Sequence, residues 1–279
     1  MKEKAYAKIN LHLDVVDKRV DDFHDLEMVM ATIDLYDELH FKKLDEDVIR
    51  VSSNKEITDN VEDNLVYRIA KHLKETFGIK QGVEIHIEKK IPIAGGLAGG
   101  SADAAAALRG LNKLFKLKLS LEQLANIGEM FGSDIPFCVH NKLCIARGRG
   151  EQLFFLKRKL NIPVLIITPD LHVSTGEVFS HVDLSRIQNV KITSMTNAIY
   201  NKNEALIARN LYNALEPITF SLFKEIKALK TEILEAGPTG VLMSGSGPTL
   251  FVMDENRDLL ESLAEKYRDR HFVELTKIK

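Results

Sequence analysis

Three stretches carry residue types suited to phosphate chemistry. From Pro92 to Ser101 the chain reads PIAGGLAGGS, with Gly95, Gly96, Gly99 and Gly100 and no charged side chain, and it runs directly into an alanine-rich segment. A helix start presents unpaired backbone N–H groups and the positive end of its dipole, and a loop stripped of side chains lets phosphate oxygens reach them. Ser101 adds a hydroxyl at the mouth. The loop is not a Walker A motif: Gly95 and Gly100 have its four-residue gap, but Ser101 stands where the lysine must be. Leu97 likewise interrupts the Rossmann fingerprint. The bland alternative is a flexible glycine turn before a helix. The second stretch is FGSDIPF, residues 131–137, which sets the carboxylate of Asp134 among apolar residues just past a helix end. A lone Asp in that setting is more often a cap than a catalyst. The third is LMSGSGPTLF, residues 242–251, where glycines alternate with hydroxyls between two apolar runs. Taken alone it reads as a hairpin turn.

Elements must hold these loops in place. Ile9, Leu11 and Leu13 alternate with Asn10, His12 and Asp14, and residues 83–88 alternate too, so both segments are predicted as strands. Leu65, Ile69 and Leu73 predict a helix over 64–77; Leu108, Leu111 and Phe115 predict another over 102–115. Ser120 with Gln123 forms a capping-box pattern that opens a third helix, closed near Gly132. After RGRGEQL (147–153) and the basic turn at 157–159, residues 163–167 read as a buried strand. Helices are predicted over 203–214, 219–236 and 257–268, strands on both sides of the turn at 244–249, and a last strand over 271–277. Strands and helices mix without strict βαβ alternation, which favours an α+β fold in two lobes.

Composition narrows the partners. With 279 residues, 45% hydrophobic and 28% charged, this is an ordinary globular chain with room for a large core. A formal net charge of -2 gives no global basic field for nucleic acid or acidic lipid, so an anionic ligand must be held locally. Cys138 and Cys144 are in no metal-type pair and read as buried thiols of a reducing compartment. The N-terminus alternates as a strand rather than a signal peptide, and no apolar run approaches the roughly 20 residues of a membrane span. These features predict a cytoplasmic protein.

Together with AYAKINL (5–11), DDFH (21–24) and STGEVF (174–179), the three stretches resemble the GHMP kinase superfamily over nearly the whole chain and in the family's order. Each motif is weak alone; jointly they are specific. The resemblance implies a two-lobed α+β fold with an N-terminal ribosomal-protein-S5-like lobe, residues 1–155, that binds ATP, and a C-terminal ferredoxin-like lobe, residues 156–279. It implies transfer of the ATP γ-phosphate to a hydroxyl of a cytidine-diphosphate-linked polyol on the route to isoprenoid precursors. Lys8 and Asp134 match the family's catalytic pair: Asp134 would take the proton of the attacking hydroxyl, and Lys8 would offset charge on the moving phosphoryl group. Asn10 matches a substrate contact. Phe23, with His24, and Thr175, with Phe179, match the two sides of a cytosine slot; core packing is the competing reading for Phe179. On the ATP side, Asn64 and Leu65 match the segment near adenine. Pro92, Ile93, Ala94, Gly95, Gly96, Leu97, Ala98, Gly99, Gly100, Ser101 and Ala102, as far as Asp103, match the phosphate loop. Ser244, Gly245, Ser246 and Gly247 would support it from the second lobe. Mg²⁺ is expected to ride in with ATP, with no dedicated metal cage in the protein.

The pattern departs from the family in three places. The loop reads GGSADAA, with Ala102 where the family has a second serine, which the wider superfamily directs at phosphate or metal. Asp22 replaces a glycine in DDFH, and Tyr6 replaces a proline before the AKIN motif. If position 22 requires a positive φ, aspartate tolerates it better than most residues. The alternatives are a GHMP kinase of another acceptor, such as homoserine, mevalonate or a sugar, and a nucleotide-binding regulatory protein that has lost turnover.

Overall fold

A computed structural model describes residues 1–279, which cluster into two units interleaved in sequence. The first comprises Met1–Ala7, Leu35–Ile93 and Ala98–Asn141; the second comprises Lys8–Asp34, Ala94–Leu97 and Lys142–Lys279. The boundary expected at 155/156 falls inside the second unit. The chain passes between units along its two long strands, within the glycine loop, and after Asn141.

The first unit takes the start of β1 (Lys2–Lys18) and the end of β2 (His24–Leu44), followed by β3 (Ile49–Ser53), α1 (Leu65–Thr76), β4 (Gly82–Glu88), α2 (Gly99–Leu114), α3 (Leu121–Glu129) and α4 (Ile135–His140). β4 runs antiparallel to β2, with Glu38 opposite Glu88, and β3 runs parallel to β4, with Ile49 opposite Val83. Val83, Ile85 and Ile87 point inward, as the alternation predicts. On α1, Val66, Ile69, Ala70 and Leu73 form the buried stripe, and the Asn64 side chain caps the helix by accepting the Val66 N–H at 2.9 Å. The capping box at Ser120 and Gln123 is present at the head of α3. α2 is buried on nearly all sides, and its small side chains at Ala102 and Ala104–Ala107 let it pack closely.

The helix expected from Ala102 begins at Gly99 instead. Ala98, in the left-handed region at φ +57°, turns the chain into it. Two glycines of poor helix propensity hide this first turn from a periodicity reading. The 21-residue β2 and the short α4, with Pro136 in its first turn, carry no strong periodic signal either.

The second unit holds the rest of β1 and β2, then β5 (Cys144–Gly148), β6 (Gln152–Phe155), β7 (Pro163–Thr168), α5 (Thr175–Ser180), α6 (Thr193–Tyr200), α7 (Glu204–Arg209), β8 (Tyr212–Asn213), α8 (Glu216–Leu222), α9 (Lys224–Leu234), β9 (Gly240–Met243), β10 (Leu250–Met253), α10 (Arg257–Tyr267) and β11 (Phe272–Lys277). β5 pairs with β2, β6 with β5, and β8 lies parallel to β1 with Tyr212 opposite His12. A separate antiparallel sheet has the order β11-β7-β10-β9. The helix expected over 203–214 stops at Arg209, and Tyr212–Asn213 leaves it to pair with β1. The one expected over 219–236 starts earlier and breaks at Phe223, where φ −126° and ψ +86° are not helical. Cys138 and Cys144 are buried and form no disulfide, and burial pushes the Cys144 thiol up to about 12. No helix is long and apolar enough to cross a membrane.

Candidate active site

In the second unit, β1 carries Lys8, Asn10, His12 and Asp14 on one face, all buried, with Ile9, Leu11, Leu13 and Val15 on the other. Four polar residues in a row on a buried strand face call for partners. Lys8 Nζ donates to Asn10 Oδ1 at 2.8 Å and to the Gly96 carbonyl at 3.4 Å, and the Lys8 backbone N–H donates to the Leu97 carbonyl at 3.1 Å. The front half of the glycine loop is thereby tied to the strand that bears Lys8. The SGSGPT turn closes on the same place: Ser244 Oγ donates to the Gly96 carbonyl at 3.0 Å, and Thr175 and Ser246 share a hydroxyl–hydroxyl bond of 2.9 Å. Gly245 and Gly247 take positive φ in this turn.

Three residues that the sequence reading missed hold that turn. Asn213 Nδ2 donates to the Met243 and Gly245 carbonyls at 2.7 and 2.8 Å, Thr219 Oγ1 donates to the Ser246 carbonyl at 3.2 Å, and Glu216 accepts the Met243 N–H at 3.0 Å. Asn213 and Thr219 are buried, and a polar residue in an apolar run is the signal that marks them.

Gly96 has φ +74°, and a Cβ built on it would overlap the Ser244 carbonyl oxygen. The left-handed backbone alone costs an alanine about 1–2 kcal/mol. Gly96→Ala is therefore expected to lower the urea midpoint and to raise KM for ATP more than KM for the acceptor, because it displaces the loop. Equal KM values in parent and variant would show that the loop tolerates displacement.

The aromatic segments also lie in this unit. Asp22 adopts φ +64°, in the left-handed region that aspartate tolerates better than most residues. Phe23 is 52% exposed, which removes core packing as its reason for being there. The His24 and Phe179 rings lie 5.5 Å apart and tilted by 30°. Phe179 is half-buried while its neighbour Val178 is the core residue of α5. Burial, with nearby Lys18, lowers the His24 pKa.

In the first unit, Gly99, Gly100 and Ser101 form the first turn of α2, and their N–H groups have no acceptor within the helix. Ala102 is the first residue whose N–H is satisfied, donating to the Ala98 carbonyl at 2.8 Å. A Cβ on Gly100 would reach Leu65 at an ordinary 3.8 Å, and one on Gly132 would lie 4.0 Å from Ser101 Oγ, so these segments are close neighbours. Pro92 is half-buried and Ile93 exposed at the loop's entry. Asp134 occupies the N-cap position of α4, yet its side chain makes no capping hydrogen bond. Asp103 does not join the phosphate loop by its side chain: it is buried, with Oδ2 2.8 Å from Lys89 Nζ, and Lys89 also lies 2.5 Å from Asp37. No group of three or more His, Cys, Asp or Glu is placed to hold a metal ion. A groove of about 470 Å³ in this unit, lined by His40, His86, Ser52 and Glu84 among others, contains none of the expected site residues.

A helix N-terminus behind a glycine loop fits a polyphosphate, and partly exposed rings fit a base. Comparison with known proteins gives the family. Models of the GHMP kinases N terminal domain and the GHMP kinases C terminal domain match residues 64–142 and 195–273, more than half of the chain, which belongs to the GHMP kinases. The 4-diphosphocytidyl-2-C-methyl-D-erythritol kinase of Bacillus pumilus is 48% identical over 89% of this chain and 86% of its own length. That of Exiguobacterium sibiricum is 46% identical over 93% and 91%. Within the GHMP kinases, the chain belongs to the 4-diphosphocytidyl-2-C-methyl-D-erythritol kinases. The crystal structure of a 4-(cytidine 5'-diphospho)-2C-methyl-D-erythritol kinase superposes with a TM-score of 0.85 at 30% identity, covering 100% of this chain and 99% of that one.

Proposed function

We propose that this kinase transfers the γ-phosphoryl group of ATP to a hydroxyl of 4-diphosphocytidyl-2-C-methyl-D-erythritol, a step toward isoprenoid precursors. The observation that carries the acceptor assignment is the near-full-length identity to enzymes of that name. The exposed Phe23 beside His24, with Phe179 half-buried, supports it, because acceptors such as homoserine or mevalonate need no slot for a base.

In this reading the N–H groups of Gly99, Gly100 and Ser101 hold the phosphates of ATP, and Asn64 and Leu65 flank its adenine. Mg²⁺, brought with the nucleotide, neutralises phosphate oxygens. Asp134 receives the proton of the acceptor hydroxyl, and its carboxylate is not engaged in capping α4. Lys8, fixed by Asn10 and the Gly96 carbonyl, offsets the charge that builds on the phosphoryl oxygens. Asn10, held by Lys8, orients the acceptor. Thr175, bonded to Ser246, and Phe179 form one wall of the base slot; Phe23 and the His24 backbone form the other. The proposed site of action is the cytoplasm.

An ADP-release assay with Mg-ATP tests the reading. ADP is expected only when the cytidyl acceptor is also present, and not with homoserine or mevalonate in its place. Turnover with one of those instead would replace the acceptor. Binding of ATP and the cytidyl compound without turnover would make this a nucleotide-binding protein that lacks catalysis.

A further inference from the structure

The hairpin that joins β5 to β6 is built around one side chain. Its turn sets Gly148 at φ +67° and Gly150 at φ +115° on either side of Arg149. Glu151 turns back to accept the Arg149 N–H at 2.7 Å, and a Cβ on Gly148 would overlap the Glu151 carboxylate. Two left-handed residues and a carboxylate clamp thus fix where the Arg149 side chain leaves the backbone. Its guanidinium lies 4.9 Å from the centre of the half-exposed Phe23 ring.

Charge pairing nearby leaves Arg149 distinct. Arg19 binds Asp21 through Nε at 3.0 Å and Asp25 through Nη1 at 2.9 Å, and Lys18 lies 3.8 Å from Asp22. Arg147, two residues before Arg149, is paired with Glu27 at 2.8 Å. The acids of the Phe23 loop therefore have their cations. Arg149 forms no ion pair; it has an aromatic face on one side and its forked donors uncommitted. A planar guanidinium stacked on a ring loses little freedom when it then takes an anion, and its fork matches phosphate oxygens. The acceptor under Proposed function combines a base with a diphosphate.

We propose that Arg149 is a binding residue for the acceptor's diphosphate, positioned by stacking on the same Phe23 ring that receives the base. The proposal rests on the base slot in the reading above. Arg149 reads phosphate, whereas the ring reads the base, so the two contributions are separable.

The test is calorimetric binding of CDP and of cytidine to the full-length enzyme, with Mg²⁺ and a non-hydrolysable ATP analogue saturating the donor site. Arg149→Met is expected to weaken CDP by about tenfold or more and to change cytidine by less than about twofold. Arg149→Lys, which keeps the charge without the fork, recovers part of the CDP loss. In steady state, KM for the cytidyl acceptor rises in Arg149→Met while KM for ATP holds. Equal losses for CDP and cytidine would make Arg149 a cover for the ring and overturn the proposal, as would an unchanged CDP affinity. A parent enzyme that turns over yet binds neither CDP nor cytidine would remove the base slot itself, and the proposal with it.

Discussion

Asp134→Asn is expected to lower kcat by roughly two to four orders of magnitude, the usual worth of a positioned general base, with KM for both substrates changed only a few-fold. The substitution keeps the shape of the side chain and removes its ability to take a proton. It sits at the N-cap of α4, where asparagine is as good a capping residue as aspartate, and the parent side chain makes no capping bond to lose. The helix loses no capping bond by the exchange, so α4 is expected to survive it. This separates the two readings of the residue that its sequence position left open. A residue that only capped α4 would leave both stability and kcat unchanged on this exchange; a base loses kcat alone. A single-turnover experiment completes the argument, because the loss must lie in the chemical step rather than in product release. Full kcat in Asp134→Asn would end its assignment as the base and leave Lys8 and the helix N-terminus as the agents of catalysis.

The legible parts of the fold are those where local period and tertiary burial agree. α1, α3 and β4 appear where their apolar spacing and caps predict, because one face of each is buried and the other is not. β2 escapes the same reading: residues 28–33 are buried on both faces, which erases the alternation there, and Asp37 breaks the apolar pattern further on. β8 exists only through its pairing with β1, some 200 residues earlier, and nothing local at Tyr212–Asn213 announces a strand. The site follows the same rule. The glycine loop and Asp134 are visible because their residue types are unusual where they stand. Asn213, Thr219 and Arg149 are ordinary residue types whose importance lies in what they reach, across distances the sequence does not encode locally.

The second large effect lies behind the phosphate loop. Lys89 is buried between Asp37 at 2.5 Å and Asp103 at 2.8 Å, and Asp37 also accepts the Lys90 and Ile91 N–H groups at 2.5 and 2.8 Å. The cluster therefore joins the residues that enter the loop to the second turn of the helix that leaves it. Lys89→Met takes the cation from both acids and is expected to cost about 3–5 kcal/mol, read from urea denaturation above about pH 8, where Asp103 is ionised. One ammonium serves two acids, and they are not served equally. Asp37 accepts three hydrogen bonds, whereas Asp103 Oδ1 has no partner. Burial, only partly opposed by Lys89, pushes the Asp103 carboxyl up to about 8. Unfolded, the same group ionises near pH 4. Between those values the native state binds the extra proton, so this contribution to stability is complete below about pH 4 and is lost as pH rises through about 8. Lys89, whose own pKa is raised by its two acids, stays charged throughout that window. Asp103→Asn mimics the protonated form at every pH. The stability difference, parent minus variant, is therefore expected to fall between pH 5.5 and pH 8.5. A difference that stays level across that range would place the proton elsewhere in the cluster. A fall that accompanies a rising KM for ATP in the parent alone would show that the ionisation of Asp103 reaches the loop it helps to anchor.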